Sequence, residues 1–226
     1  MNLGKHYNNL YNESVQKILS DDYQIDHLID SPEDNRSGIT LIIRPDIEVL
    51  DNIQSFLIDL KAIDPRQYYY PGSDIHVTVM SVISCYKGFE LSQISVPDYI
   101  KVFQKSIKKI KPIEIEFRGV TASPSCIMIQ GFLRDEMLNE IRNALRINFN
   151  NSNLQQSIDE RYSIQTAHAT VVRFRKQIVN KVDYLSTIEK WRNYNFGVSS
   201  IRSLEFVNND WYQRKERVKE LYRFNF

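Results

Sequence analysis

The sequence contains few cysteines, few glycines and few prolines, and each shortage argues against a class of protein. There are 2 Cys, 7 Gly and 7 Pro among 226 residues. Two cysteines are too few for a disulfide-stabilised scaffold, and the low glycine and proline content argues against a disordered or linker-rich chain. Cys85 and Cys126 belong to no CxxC pair and to no Cys/His cluster with zinc-ligand spacing. We therefore expect two reduced thiols in an ordinary globular protein.

The sequence also lacks an excess of charge and a long apolar run. The formal net charge is +1, whereas a protein that binds long nucleic acid through many phosphates usually carries a clear basic excess. A small anionic ligand held by two or three groups remains compatible with this charge. No apolar run approaches the ~20 residues that span a bilayer, and the N-terminus has no apolar core of a signal peptide. We expect a cytoplasmic protein with no membrane partner and no obligate protein partner.

Periodic apolar residues predict two similar series of strands and helices. In the first series, the strand candidate ITLII (39–43) precedes a helix, and the strand IHVTVMSV (75–82) follows a loop. In the second series, the strands IEIEF (113–117) and CIMIQGF (126–132) precede a helix, a polar loop and the strand AHATVVRF (167–174). This order predicts an α+β fold of two lobes, each a sheet with helices on its outer face.

Local signals refine three further segments. Asp46 stands where the N-cap of the first-series helix is expected. The segment VPDYIKVFQKSIKKI (96–110) has helical periodicity, and its lysines are expected to form a solvated face. The C-terminal part predicts two or three strands with a turn at Asn208 and Asn209.

The predicted domain organisation is an extension followed by one domain. Residues 1–36 are polar with a weak helical pattern, and we interpret them as an N-terminal extension that contains a helix. Residues 37–226 are expected to form a single bilobal domain. His6 and His27, both in the extension, are expected at the surface.

Two of the predicted strands carry the same unusual pattern of polar residues. His76 is followed two positions later by Thr78, and His168 by Thr170. Because side chains at i and i+2 of a strand point to the same face, each histidine shares a face with its threonine while the intervening residues are apolar. An ordinary core face would bury these polar groups without partners. The pattern therefore indicates a functional face in each lobe.

The chemistry of this face follows from its residue types. Two imidazoles can divide general-acid and general-base catalysis near neutral pH. Two hydroxyls can donate hydrogen bonds to the non-bridging oxygens of a phosphate. No metal or other cofactor is required by this arrangement, and the sequence contains no H-E-x-x-H motif, carboxylate cluster or P-loop.

The paired motifs resemble those of a known superfamily. HVTV (76–79) and HATV (168–171) are similar to the two H-x-[ST]-x motifs of the two-histidine (2H) phosphoesterases. The neighbourhoods YYPGSDIHVTVMSV (69–82) and HATVVRF (168–174) resemble those of the RNA 2′,5′-ligase-like, cyclic phosphodiesterase branch. The resemblance extends over roughly residues 37–215.

The resemblance implies a fold and an activity. The fold would be two pseudo-symmetric lobes of antiparallel sheet around a central cleft. The activity would be metal-independent cleavage of a 2′-linked or 2′,3′-cyclic phosphate. One histidine would deprotonate the attacking hydroxyl or water and the other would protonate the leaving group, with the threonines holding the phosphate. Which histidine has which role stays open at this point.

Four further residues are candidates for substrate binding. Tyr70, in the loop before the first motif, could stack on a base or bind the phosphate, and Trp211 could stack on a base. Phe174 has the parity of His168 and could form the floor of a base pocket. Arg173 could neutralise phosphate charge, but strand parity points it away from His168 unless the strand contains a bulge.

Three functions remain open from the sequence. The first is a phosphodiesterase whose substrate is an RNA end, a short 2′,5′-linked oligonucleotide or a cyclic oligonucleotide, including a cyclic defence signal. The second is a nucleotide- or RNA-binding module with little or no catalysis. The third is a structural domain with coincidental motifs. The near-neutral charge favours a small nucleotide over long RNA as the partner.

Overall fold

The fold is described from a computed structural model for residues 2–107 and 111–226. Within these ranges the helices and strands follow one another as α1 (Leu3–Leu19), β1 (Arg36–Ile43), α2 (Ile47–Ile63), β2 (Tyr68–Tyr69), β3 (Val77–Lys87), α3 (Val96–Ser106), β4 (Ile113–Ser123), β5 (Cys126–Leu133), α4 (Met137–Asn150), β6 (Ala169–Arg173), α5 (Lys181–Lys190), β7 (Asn195–Ile201), β8 (Ser203–Asp210) and β9 (Lys219–Asn225).

All these strands belong to one curled antiparallel sheet. Its strand order is β7-β4-β5-β6-β3-β1-β8-β9, and the short β2 pairs with β6. Along this order, with β2 left aside, four strands lie on each side of the junction between β6 and β3, where the register matches Val77 with Ala169. The two predicted lobes are thus the two halves of a single sheet, and the predicted α+β class with antiparallel sheet is confirmed.

Helices cover the apolar face of both halves. α2 packs against α5 and β7, and α3 packs against α4, which contacts β3. Val77 and Ala169, at the junction, are fully buried, as the alternation of the two motif strands requires. The apolar face therefore holds the two halves together and leaves the opposite face of the junction for polar side chains.

The start of α2 shows how a local signal and the fold combine. Asp46 occupies the N-cap position, as predicted, but its side chain makes no capping bond. Its carboxylate instead accepts a hydrogen bond from the backbone N–H of Ser200 in β7 at 2.9 Å. Ile47, the first residue of the helix, is 72% exposed, because the buried face begins at Val49.

Strand β6 contains the irregularity that matters most for the site. Its pairing with β5 matches Met128 with Thr170 but Ile127 with Val172, so one residue of β6, Val171, has no partner of its own. An extra residue of this kind is a β-bulge, and it reverses the alternation of faces beyond it. Arg173 therefore returns to the face of Thr170.

Three sequence predictions need correction or fall outside the described residues. The loop before the first motif contains the short strand β2. Asn208 and Asn209 do not form a turn, because both lie within β8 and pair with β1. Helix α3 ends at Ser106, and the remainder of the predicted helix includes positions 108–110, which lie outside the described residues.

Within the described ranges, no helix has the length and apolar character needed to cross a bilayer.

Candidate active site

Both H-x-T motifs open into one cavity at the junction of the two half-sheets. His76 lies one residue before β3 and His168 one residue before β6, at the starts of the strands rather than inside them as the sequence predicted. These histidines line a cavity of about 150 Å³ together with Thr78 and Thr170. The structure therefore brings together four polar side chains that are up to 94 positions apart in the sequence.

The register explains why the four side chains meet. β3 and β6 run antiparallel, and Val77 is matched with Ala169. In an antiparallel pair, the residues that flank a matched pair face each other in crossed order. Thr78 therefore lies towards His168 and His76 towards Thr170, in a local two-fold arrangement about the matched pair.

Each histidine is held by a residue two positions before it. His76 Nδ1 lies 2.8 Å from the backbone oxygen of Asp74, and His168 Nδ1 lies 2.7 Å from Oγ1 of Thr166. A carbonyl oxygen only accepts, so His76 carries its proton on Nδ1 and leaves Nε2 unprotonated when the ring is neutral. A hydroxyl can donate or accept, so Thr166 can serve His168 in either protonation state.

The surroundings of both histidines favour their neutral forms. Burial lowers the pKa of His76 to about 4, and the positive charge of Arg44 adds to the effect while the bond to Asp74 opposes it. Burial likewise lowers the pKa of His168 to about 4, with further contributions from the positive charges of Arg142 and Arg173. Both imidazoles are therefore neutral in the free protein near pH 7.

The free energy of unfolding is expected to fall as the pH drops from about 6.5 to about 4. In this interval the unfolded chain protonates His76 and His168, whose ordinary pKa is 6.5, while the folded protein keeps them neutral because their pKa is about 4. Above this interval both states are neutral and the two groups add no pH dependence. Urea titrations at about pH 7.5 and about pH 5 measure the difference. A His76→Gln/His168→Gln variant should lose less stability on acidification, and an unchanged loss would contradict these pKa values.

Arg173 reaches the cavity because of the bulge in β6. Its Nε donates a hydrogen bond to the hydroxyl of Tyr70 at 3.0 Å, and both side chains line the cavity. Tyr70 is only 2% exposed, so its ring is fixed by packing and its hydroxyl orients the guanidinium. No carboxylate among the described residues forms an ion pair with Arg173, which leaves its remaining N–H groups available for an anion.

Trp211 lines the same cavity, but its ring is already occupied by cations. The guanidinium of Arg161 lies over the ring at 4.7 Å from its centre, and that of Arg36 at 4.9 Å. Stacking of a base on Trp211 stays a prediction, and it requires the exposed Arg161 to move aside.

Phe174 does not contribute to the cavity. The bulge at Val171 moves it to the apolar face, where it is fully buried and packs edge-on against Tyr23 at 5.2 Å. The prediction that Phe174 forms the floor of a base pocket rested on regular alternation along the strand, and the bulge makes it wrong.

Arg142 of α4 is a component of the site that sequence reasoning missed. Its side chain is buried, and it donates hydrogen bonds to the backbone oxygens of Val79 at 3.1 Å, Thr78 at 2.9 Å and Thr166 at 2.8 Å. One arginine thus binds the backbone of both motif segments from the apolar side. Burial lowers its pKa to about 10, and it remains charged near pH 7.

The loop between α4 and β6 covers one side of the cavity. It is anchored to β3 by Ser157, whose N–H donates to Val82 O at 2.8 Å and whose hydroxyl accepts from Ser84 N at 2.8 Å. Beyond this anchor the loop brings Arg161 and Tyr162 to the cavity. No periodicity marks these two residues, so the sequence offered no signal for them.

A signal for one of the two histidine supports was present in the sequence. Thr166 stands two positions before His168, so in an extended chain its hydroxyl shares the side of that histidine. Asp74 gave no signal of this kind, because it lies in a turn and supports His76 through its backbone oxygen. Arg142 has no such signal, because its role depends on how α4 packs against β3.

Comparison with known proteins finds this architecture among solved structures. The chain matches no protein-family model, and a search of curated proteins found no significant match. Solved structures do match. A crystal structure described as a phosphoesterase has a TM-score of 0.55 at 12% identity, covering 85% of this chain and 99% of that chain.

Two further structures match over similar lengths. E. coli LigT complexed with 3′-AMP has a TM-score of 0.56 at 10% identity, with 85% of this chain and 99% of that chain covered. The protein TT0787 of Thermus thermophilus has a TM-score of 0.59 at 12% identity, with 83% of this chain and 96% of that chain covered. The chain therefore has the fold of the 2H phosphoesterases.

Proposed function

We propose that the protein is a metal-independent phosphodiesterase that cleaves a 2′-linked or 2′,3′-cyclic phosphate in a short oligonucleotide or cyclic nucleotide. The observation that supports this most strongly is the crossed arrangement of His76, Thr78, His168 and Thr170 around one cavity. In-line hydrolysis of a phosphodiester needs a base beside the attacking water and an acid beside the leaving ester oxygen. The two groups must therefore lie on opposite sides of the phosphate.

The hydrogen bonds to the two Nδ1 atoms suggest a division of roles. His76 presents an unprotonated Nε2 when neutral, which suits the general base that takes a proton from the attacking water. His168 would be the general acid, because Thr166 can accept from Nδ1–H once the ring is protonated. The bound phosphate anion raises the pKa of the imidazole beside it, which favours the protonated acid in the complex.

The proposed reaction is a hydrolysis in a single displacement step. The water oxygen bonds to phosphorus while its proton passes to His76 Nε2. The bond from phosphorus to the ribose oxygen breaks, and that oxygen takes the Nε2 proton of His168. The product is a phosphomonoester, and proton exchange with solvent restores the two rings.

Three groups would hold the phosphate during this step. The hydroxyls of Thr78 and Thr170 would donate to the non-bridging oxygens, and Arg173 would neutralise the charge that develops on them. E. coli LigT, whose fold this chain shares, has been crystallised with 3′-AMP, ATP, NADP+ and phosphate. These ligands support a nucleotide as the substrate class proposed for this chain.

A panel of substrates tests the proposal. Purified protein is incubated with 2′,3′-cyclic mononucleotides, 2′,5′-linked dinucleotides and cyclic oligonucleotides, with and without EDTA, and products are separated by chromatography. We expect turnover of at least one class that EDTA does not reduce. Sensitivity to EDTA would contradict the metal-independent mechanism.

The alternative function is a nucleotide-binding module without catalysis. It is favoured if calorimetry detects nucleotide binding while none of the panel is turned over. The intact pair of H-x-T motifs argues for the enzyme, because binding alone would not require an imidazole on each side of the cavity.

Replacing Arg173 by methionine is expected to lower kcat/KM by about 100-fold, the effect of removing one donor that stabilises transition-state charge. Steady-state kinetics on the best substrate of the panel measure it. Arg175→Met is the matched control, since Arg175 lies two residues further on and bonds Arg66 O at 2.9 Å outside the cavity. Equal effects of the two replacements would remove Arg173 from the proposed site.

A further inference from the structure

A second cavity, of about 280 Å³, adjoins the proposed active site at His168. The residues that line both cavities are Thr78, Tyr162, Ile164 and His168. His76, Tyr70 and Arg173 line only the first cavity. His168, in the second motif, therefore lies between the two cavities.

The N-terminal helix forms the outer wall of this second cavity. His6 and Leu10, one turn apart on α1, are half-buried and line it together with Met128 of β5. The expectation that His6 is a surface residue is thus corrected, whereas His27 is exposed.

Hydrogen bonds and register fix α1 on the same side of the sheet as the catalytic face. The hydroxyl of Thr121 donates to Tyr7 O at 2.9 Å, and the Tyr7 hydroxyl donates to Gly131 O at 3.2 Å. Thr121 is matched with Met128, and Met128 is matched with Thr170. Since matched residues point to the same face, α1 packs on the face that carries the motif threonines.

The lining of the second cavity suits a nucleoside. Leu10, Met128 and Ile164 supply apolar surface for a base, and the exposed Tyr162 ring stands beside them. His6 and Gln165 supply polar groups for base edges or ribose hydroxyls.

We propose that the substrate is a phosphodiester that joins two nucleosides, with one nucleoside in each cavity and the scissile phosphate between the H-x-T motifs. This inference rests on the proposed function and narrows its substrate class to a 2′,5′-linked or cyclic oligonucleotide. A mononucleoside 2′,3′-cyclic phosphate carries both ester oxygens on one ribose, so it would leave the second cavity empty.

Kinetics on two substrates test this inference. The specificity ratio is kcat/KM for a 2′,5′-linked diadenosine monophosphate divided by kcat/KM for adenosine 2′,3′-cyclic phosphate. We expect His6→Ala and Leu10→Ala each to lower this ratio by about 10-fold, because only the first substrate reaches α1. His27→Ala, in the same N-terminal segment but exposed, should leave the ratio unchanged.

Two outcomes would overturn the inference. The ratio could stay unchanged in both α1 variants, whether or not both substrates lose activity equally, or the cyclic mononucleotide could be the sole substrate of the wild type. The last outcome would leave the proposed function standing, so the two failures are distinguishable.

If the wild type cleaves neither substrate, binding affinities test whether the two nucleoside subsites exist. Calorimetry then compares a phosphorothioate-linked diadenosine with adenosine 2′-monophosphate. Tighter binding of the dinucleoside that is lost in His6→Ala and Leu10→Ala would support two nucleoside subsites while the catalytic proposal fails. Equal affinities for the two probes, unchanged in the variants, would contradict the subsites as well.

Discussion

Replacing His76 or His168 by alanine is expected to lower kcat by about 10²–10⁴-fold, the contribution of a positioned general acid or base. Each imidazole lines the cavity and is held by one hydrogen bond at Nδ1. Its removal leaves the motif threonines, the cavity and the apolar face in place. Steady-state kinetics on the substrate identified by the panel measure the loss, and circular dichroism and thermal unfolding verify that the variants remain folded.

The nature of the leaving group separates the two roles. A phosphodiester with a nitrophenyl leaving group needs little protonation, so it should restore much of the activity of His168→Ala and little of that of His76→Ala. His27→Ala is the control. Wild-type kcat in either motif variant would refute the assignment of that histidine to catalysis, and the opposite pattern of restoration would exchange the two roles.

Replacing Arg142 by methionine is expected to lower the free energy of unfolding by about 3 kcal/mol, because buried backbone acceptors lose their charged donor. The affected oxygens belong to Thr78, Val79 and Thr166. Methionine keeps much of the apolar stem, so the loss reports the hydrogen bonds more than the packing. Urea unfolding monitored by circular dichroism measures the change.

We propose that Arg142 positions the two motif segments and that its charge acts on His168, so its variant has a second signature. Loss of the cation should raise the pKa of His168, which Arg142 helps to lower. A titration of the histidine ring resonances by NMR measures this shift. Arg134→Met, which breaks the exposed ion pair with Glu114, should change stability by less than about 0.5 kcal/mol and leave the histidine titration unchanged. Equal stability losses in the two variants, or an unshifted His168, would contradict the positioning role.

The polar face that lines the cavity could be predicted from the sequence because strand alternation is a local rule. The spacing of His76 and Thr78, repeated at His168 and Thr170, was enough to place four side chains on one face. The α+β class followed in the same way from periodicity. The meeting of the two motifs needed only the further assumption of two equivalent lobes.

The parts that could not be predicted depend on departures from regular geometry or on distant packing. Regular strand alternation predicted that the Arg173 side chain points away from the site and that of Phe174 towards it. The bulge at Val171 reverses both directions. No residue type at Val171 signals a bulge. Arg142 lies on a helix whose apolar periodicity predicts only which side is buried. It does not predict that Arg142 donates hydrogen bonds to three backbone oxygens on two other segments.

The role of α1 was hidden for a different reason. The weak periodicity of the first 36 residues indicated a helix but gave no surface for it to pack on. The hydroxyl of Thr121 and the ring of Phe132 provide that surface, and they lie more than 100 positions away in the sequence. No local sequence pattern therefore predicts that His6 lines a cavity.

We propose that the two H-x-T motifs act together on one phosphate, and a comparison of single and double variants tests this cooperation. Single-turnover rates are measured for His76→Ala, His168→Ala and the combined variant on the best substrate. Because groups that act in one step are strongly non-additive, we predict that the combined variant is about as slow as the slower single variant. Rate losses that multiply, or a single variant that retains the wild-type rate, would contradict a shared site.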